Sequence, residues 1–351
     1  MKVLVTPLDW GLGHATRCVP IIQELVRQGH EVEVASSAGA LRLLQIEFPQ
    51  LEFFELPSYQ PEYSVSSNLL PKLIRQSKKF FSAIKQERLL IEEIVKARAI
   101  EVIVSDHRYG CYSGKTKNIF VTHQVNFKFQ GFWKVGGGLF NSWHHHNMLP
   151  FQEIWIPDLP GSLLSGDLSR ISLPNCKYVG LLSRFREPSL QEIQYDLLVL
   201  ISGPEPQRSI FERIMKWEVS KTNFKVLIVK GQMGLKQNNL TQHQIAEVDH
   251  LPGDELQQAI EQSKFIVCRS GYSSLMDLAR LKRKNVLLVP TPGQPEQIYL
   301  AKILNNKSLV HSVSQHKISL EEDLRLASQY KGFGELVEQD LLQAAVASID
   351  S

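Results

Sequence analysis

The chain has 351 residues, 43% hydrophobic and 21% charged, enough for two ordinary domains or one large one, each burying a core. Its 39 Lys and Arg against 36 Asp and Glu leave a net charge of +3, far from the heavy basic face of a dedicated nucleic-acid binder. No apolar run reaches the ~20 residues that span a bilayer, and Cys18, Cys111, Cys176 and Cys268 lie far apart with no CxxC, which excludes a zinc knuckle or a disulfide framework.

In chain order, Val3 to Val5 opens a buried strand, and the run from about His14 to Gly29 has helical periodicity, with Gly29 where a helix C′ residue belongs. Glu31 to Val34, Leu51 to Phe54, Val102 to Val104 and Ile119 to Val121 read as further short strands. Residues 150–195 hold five prolines and several glycines, punctuation that places a boundary near 181–195. Leu197 to Ile201, Val226 to Val229, Phe265 to Val267 and Val286 to Val289 then repeat the alternation. Strands alternating with helices predict right-handed crossovers and parallel sheets. The expected fold class is α/β, with two Rossmann-like domains, 1–182 and 183–351, facing across a cleft and the last helix packing back on the first. Ligands are expected outside the carboxyl ends of the strands.

The first such end is Asp9-Trp10-Gly11-Leu12-Gly13-His14-Ala15-Thr16-Arg17. Gly11 and Gly13 permit a tight turn and close approach to a ligand at a helix start. A dinucleotide fingerprint fails here: Thr16 stands at the third glycine position, and the second strand ends in Ala35-Ser36-Ser37 with no acid for a ribose. His14 is a candidate general base, its ordinary pKa lying near neutrality; a capping or packing histidine is the alternative. Asp106 ends another strand of the same sheet, placed to accept from one imidazole nitrogen and leave the other free, or simply to cap the next turn. Arg108 could pair with Asp106 or contact substrate.

In the second half, Val267 to Asp277 reads strand, glycine-containing turn, helix, followed by Val289 to Gln297 at the next strand end. Gly271 allows close backbone approach. Ser270, Ser273 and Ser274 with the helix N-terminus suit diphosphate oxygens. Asp277 is placed for ribose hydroxyls, and Glu296 and Gln297 for a polyol.

These blocks resemble the donor-binding region of GT-B fold glycosyltransferases, nearest to the MurG-like group with its glycosyltransferase family 28 C-terminal domain, and more distantly the plant secondary-product glucosyltransferase box. In such families an Arg/His-x-Gly turn precedes a helix bearing a ribose-binding Glu, and an acid–Gln pair holds sugar hydroxyls. This chain keeps Arg269, Gly271, Glu296 and Gln297, with Asp277 where Glu is usual. Gly11-Leu12-Gly13-His14 is similar to the Gly-rich N-terminal loop of the superfamily, whose histidine is the usual base candidate, oriented in some members by an Asp matching Asp106. Gly203, in Ser202-Gly203-Pro204-Glu205, falls at a phosphate-facing loop.

The resemblance implies an inverting, metal-independent transferase that moves sugar from a nucleotide-sugar, expected to be a UDP-sugar, to a hydroxyl acceptor such as a lipid-linked or cell-envelope saccharide. No cofactor, metal or nucleic acid is expected; Arg269 would offset charge on the diphosphate. Gly11, Gly13, Arg17, Arg108 and Trp133 are acceptor-side candidates. The run Gly-x-Gly-His-x-x-Arg-Cys also resembles a nucleotide-sugar hydrolase of nonulosonate synthesis, in which water is the nucleophile, and a non-catalytic sugar-nucleotide binder is a third alternative. The chain is expected to be cytoplasmic. Contact with the inner face of the cytoplasmic membrane stays open through the aromatic-basic segment 125–149 and the basic run 68–98. His144-His145-His146 invites a metal reading, against which adjacent side chains point in different directions.

Overall fold

The structure, a computed structural model, describes residues 1–59, 77–128, 134–231, 239–241, 244–334, 336 and 341–350. The chain divides at Arg184/Phe185 into two compact units, and its C-terminal segment returns to the first.

In the first unit seven strands form a wholly parallel sheet: β1 (Lys2–Pro7), β2 (Glu31–Ser36), β3 (Glu52–Glu55), β4 (Val102–Asp106), β5 (Lys117–Val121), β6 (Glu153–Ile156) and β7 (Cys176–Tyr178). Their order is β3-β2-β1-β4-β5-β6-β7. Val3, Leu4 and Val5 are all fully buried, as a strand covered by helices on both faces requires. The covering helices are α1 (Gly13–Arg27), α2 (Ala38–Glu47), α3 (Ser77–Arg98) and α4 (Lys134–Met148). Helix α1 ends where expected, with Gly29 at φ +86°, a left-handed value that favours glycine.

The Pro-rich stretch after residue 150 is not a spacer. It carries β6 and β7, and the buried Asp158 organises the intervening loop by accepting from the Leu159, Leu164 and Ser165 amides and from the Ser165 and Ser169 hydroxyls. The C-terminal helix, Leu341–Ala347, also belongs to this unit. The Gln343 carbonyl accepts from Gln28 Nε2 at 3.0 Å, and Lys117 donates to the Ser348 and Ile349 carbonyls.

Tandem histidines of α4 diverge. His144 is buried, with Nδ1 bonded to the Tyr109 hydroxyl (2.7 Å) and Nε2 to the Gln124 carbonyl (2.8 Å). His145 reaches the Val125 carbonyl, and His146 is exposed. Phe127, Phe140 and Trp143 pack around them, Phe127 lying edge-on to His144 at 4.9 Å.

Burial pulls the pKa of His144 down from 6.5 to about 4. A histidine that binds its proton more weakly when folded stabilises the protein fully above pH ~6.5, and that contribution fades as pH falls toward ~4. Urea unfolding of wild type should therefore lose on the order of 2–3 kcal/mol between pH 7 and 4.5 through this group alone. His144→Gln should flatten that part of the pH dependence; an unchanged slope would remove His144 from the account.

The second unit has seven strands: β8 (Tyr195–Leu200), β9 (Val226–Val229), β10 (Asn239–Thr241), β11 (Ile245–Val248), β12 (Ser263–Cys268), β13 (Val286–Leu288) and β14 (His311–Ser312). Their order is β10-β11-β9-β8-β12-β13-β14. Only the edge pair β10/β11 is antiparallel. The helices are α5 (Gln207–Val219), α6 (Gly253–Glu261), α7 (Tyr272–Arg280), α8 (Pro295–Asn306) and α9 (Leu320–Ala327). The core packs Val199, Phe211, Met215, Ile228, Val267 and Leu324 between sheet and helices. Each unit is thus a doubly wound sheet, an arrangement in which ligands bind outside the carboxyl ends of the strands.

Candidate functional site

At the centre of the first sheet β1 and β4 run side by side, Pro7 in register with Asp106. The loop from Leu8 to Leu12 leads into α1 with Gly11 at φ +75°, and Leu12, the residue before the helix, makes no side-chain cap. His14 therefore stands one residue into α1, beside the end of β4. Its Nδ1 lies 3.1 Å from Asp106 Oδ2. The imidazole keeps 16% of its surface exposed, whereas Asp106 has none. Nε2 makes no protein hydrogen bond among the described residues.

Arg17, one turn later, closes the group. Its Nε donates to Asp106 Oδ2 at 2.8 Å and one terminal nitrogen donates to Oδ1. The same terminal nitrogen is 2.8 Å from His14 Nδ1, and the other is 3.2 Å from His123 Nδ1. Burial raises the Asp106 pKa, but Arg17 and His14 outweigh it and hold the carboxyl well below the usual range. Burial, then Arg17, lowers the pKa of His14 against the opposing pull of Asp106.

His14 Nδ1 thus meets one acceptor and one donor. With the proton on Nδ1, given to Asp106, the Nε2 lone pair is available; with Nδ1 accepting from Arg17, Nε2–H is presented instead.

His14 and Asp106 are brought together; Arg17 and Arg108 are not placed as the sequence suggested. Arg17 is only 2% exposed and spends its fork on Asp106, His14 and His123, so it supports the pair rather than an acceptor's surface. Arg108 is fully buried. It pairs with Glu87 of α3 rather than Asp106, and donates also to the Pro7 carbonyl, the Pro57 carbonyl and Ser37 Oγ. Tyr59 adds a hydroxyl to Glu87 at 2.8 Å. Arg108 therefore braces the loops, because a buried charge needs its partners. Trp133 lies outside the described residues, as do parts of the 68–98 and 125–149 segments.

Two residues escaped sequence reasoning. His107 sits at φ +60° just past β4, its Nε2 2.7 Å from Thr122 Oγ1 and its ring 5.4 Å from that of His14. Burial lowers its pKa well below 6.5. His123 stacks on it at 6.1 Å. A histidine immediately after a strand-ending aspartate was the available signal. Donor atoms of His14, Asp106 and His107 lie within 4.8 Å of one another, but Arg17 already binds both carboxylate oxygens and fills the cation's place.

In the second unit the loops after β8, β12 and β13 are tied to one another. Gly203, at φ +105°, comes near Thr291, whose hydroxyl is buried without a partner. Ser270 Oγ donates to the Gln297 carbonyl at 2.8 Å. The Gln297 side chain accepts from the Thr291 amide and donates to Gln294 Oε1. These bonds commit the Ser270 hydroxyl proton and half the capacity of the Gln297 amide to the loops themselves.

Arg269 departs further from expectation. It is 1% exposed, lies over the Phe211 ring at 4.0 Å, and donates to the Val289, Pro290 and Gln207 carbonyls and to Gln315 Oε1. Burial pulls its guanidinium down to about 9, which still leaves it charged at neutral pH. It is a scaffold for the surrounding loops rather than a group open to a diphosphate: both terminal nitrogens are bonded to protein oxygens, and Nε is buried without a partner.

What the loops do present is the start of α7. Gly271 precedes the helix with no side-chain cap, in a conformation open to any residue, and a Cβ there would meet nothing within 4 Å. Neither backbone nor packing calls for glycine. Ser273 and Ser274 in the first turn, Asp277 in the second, and Glu296 in the first turn of α8 are all half-buried.

Residues 200–331 match the model of the glycosyltransferase family 28 C-terminal domain. An uncharacterized glycosyltransferase of Methanosarcina acetivorans is 24% identical over 237 residues, 62% of this chain and 59% of that protein, so the chain spans under two thirds of that relative's length. Among solved structures, MurG of Acinetobacter baumannii aligns over 100% of this chain and 99% of its own at 12% identity and a TM-score of 0.61. The calicheamicin glycosyltransferase CalG4 aligns over 99% and 95% at 13% identity and a TM-score of 0.66. The fold is GT-B. No helix among the described residues is long and apolar enough to cross a membrane.

Proposed function

We propose that this GT-B chain is an inverting glycosyltransferase that moves a sugar from a nucleotide diphosphate donor to a hydroxyl acceptor, with His14 as general base. What carries the reading is the contact of His14 Nδ1 with the buried Asp106 carboxylate, on a fold whose other unit matches a sugar-transferring family. In the Nδ1–H tautomer, Nε2 takes the proton of the acceptor hydroxyl as its oxygen attacks the anomeric carbon. The bond from that carbon to the diphosphate breaks and its electron pair leaves with the phosphate, inverting the centre. Asp106 keeps the imidazole in register and stabilises the imidazolium that forms.

The second unit is the donor half in this scheme. The N–H groups at the start of α7, with the positive end of the helix dipole, and the Ser273 and Ser274 hydroxyls suit the diphosphate, whose growing charge they would offset without a metal. Gly271 leaves space for it. Asp277 suits ribose hydroxyls, and Glu296 with the remaining Gln297 valences the sugar. A UDP-sugar is the first donor to test, and a lipid-linked or envelope saccharide the first acceptor.

Thermal-shift measurements with UDP-glucose, UDP-N-acetylglucosamine and dTDP-glucose test the donor half. A donor at 100 times its Kd should stabilise the fold by about 2.7 kcal/mol. Incubating the stabilising donor with and without an acceptor panel separates the outcomes. Acceptor-dependent nucleotide release supports transfer, free sugar without acceptor makes water the nucleophile, and binding with no turnover against any acceptor removes catalysis.

A further inference from the structure

We propose that Arg17 is a positioning residue for His14: it clamps the Asp106 carboxylate and sets a fixed positive charge against the imidazole, so that His14 rests unprotonated and ready to accept a proton. This deepens the function proposed above and rests on His14 being the base.

The geometry begins with spacing. Residues three apart on a helix share a face, so His14 and Arg17 both look from α1 toward the end of β4. Arg17 Nε and one terminal nitrogen grip the two oxygens of Asp106, a fork-on-carboxylate arrangement that fixes direction as well as charge. The other terminal nitrogen is held at His123 Nδ1. With every nitrogen of the fork engaged and 2% of its surface exposed, Arg17 is rigid and shielded from solvent screening.

The charge balance follows. In a bare His–Asp pair the carboxylate favours the imidazolium, and the base is lost to protonation in the neutral range. Here the negative charge is already matched by a guanidinium whose nitrogen is 2.8 Å from His14 Nδ1. The groups facing His14 are Arg17 from α1, Asp106 and His107 from the end of β4, and His123 from the loop after β5, with Cys18 of α1 against Asp106. Cys18 lies 3.7 Å from Asp106, and burial keeps its thiol protonated. Burial likewise keeps His107 neutral. Arg17 and Asp106 are the fixed charges of the group, and they cancel. Asp106 then holds the Nδ1–H and orients the ring without drawing a second proton onto Nε2. The cost is a weaker base, a trade that suits a group whose working form must persist near neutrality.

The test follows the His14 ring by 15N NMR titration of the full chain, as wild type, Arg17→Lys and Arg17→Gln, with His14→Gln to assign the signal. Wild type should titrate below 6.5, Arg17→Lys close to wild type, and Arg17→Gln about one pH unit or more higher. One pH unit is tenfold in unprotonated fraction. With the donor and acceptor found above, Arg17→Gln should accordingly lose severalfold in turnover at pH 6, approaching tenfold only below both midpoints, and recover it by pH 8.5. Equal midpoints in wild type and Arg17→Gln overturn the proposal. If Arg17→Gln does not fold, a wild-type midpoint at or above 6.5 does so on its own. Turnover retained by His14→Gln would instead end the base assignment, while the titration still decides what Arg17 does.

Discussion

His14→Ala should lower turnover by about 10²- to 10⁴-fold, the usual contribution of a positioned base, and leave the fold intact. The reason it is a clean substitution lies in Arg17. Once the imidazole is gone, Asp106 still has both oxygens bonded to the guanidinium, so no buried charge is stranded. A partly exposed side chain is lost, at about 1 kcal/mol or less. Donor affinity should also be preserved, because the residues assigned to the donor belong to the other unit. The measurement is initial-rate kinetics at saturating donor and acceptor, with the donor thermal shift as control. A variant that turns over at a third of the wild-type rate or better would mean that the proton leaves by another route.

The contrast between the two halves shows what a sequence makes legible. The strands at Val3, Val102, Val226 and Phe265 were readable because a parallel strand buried on both faces is an uninterrupted apolar run. The meeting of His14 and Asp106 was readable for a topological reason: both follow strands predicted for one parallel sheet, and carboxyl ends of such strands share an edge. β6 and β7 were not, since Glu153–Ile156 and Cys176–Tyr178 are short and set among prolines and glycines that read as punctuation. The loop between them is ordered by Asp158, whose five hydrogen bonds reach Leu159, Leu164, Ser165 and Ser169, a set that no local pattern announces.

The arginines are the instructive failures. Arg108 and Arg269 both follow strand ends, where a charged residue ordinarily meets solvent or ligand, and arginine is seldom fully buried unless paired. Each instead turns back into the protein. Arg108 finds Glu87 on a helix some twenty residues earlier, and Arg269 finds the carbonyls of Val289 and Pro290 after β13, that of Gln207 at the start of α5, and the side chain of Gln315. Such partners are visible only in three dimensions. Arg17 was legible in principle, because its spacing of three from His14 puts both on one helical face. Shared face alone does not separate a ligand-binding arginine from one that holds its neighbour, and only the buried Asp106 between them decides it.

Arg269→Met should be felt first as lost stability and only then as lost donor affinity. Removing the guanidinium deprives the Val289 and Pro290 carbonyls, the Gln207 carbonyl and Gln315 Oε1 of a donor. A buried acceptor left unsatisfied costs about 1–3 kcal/mol. Relief from burying a charge without an acidic partner offsets part of this, leaving a net loss of roughly 2–4 kcal/mol. Arg269→Lys should recover little, because one ammonium cannot reach acceptors on three loops from a planar fork's position. The loops it releases, the start of α5 at Gln207 and the turn through Pro290 to Gln297, flank the start of α7, so the donor's KM should rise in proportion to their loosening while turnover at saturation falls less. Were Arg269 a direct partner of the diphosphate, the order would reverse: unfolding free energy near wild type, turnover at saturating donor sharply reduced, and partial rescue by lysine, which still carries a charge to the phosphate. Urea unfolding of the three proteins alongside donor-saturation kinetics distinguishes the two, and a stable Arg269→Met protein with lost turnover would return this arginine to the reacting centre.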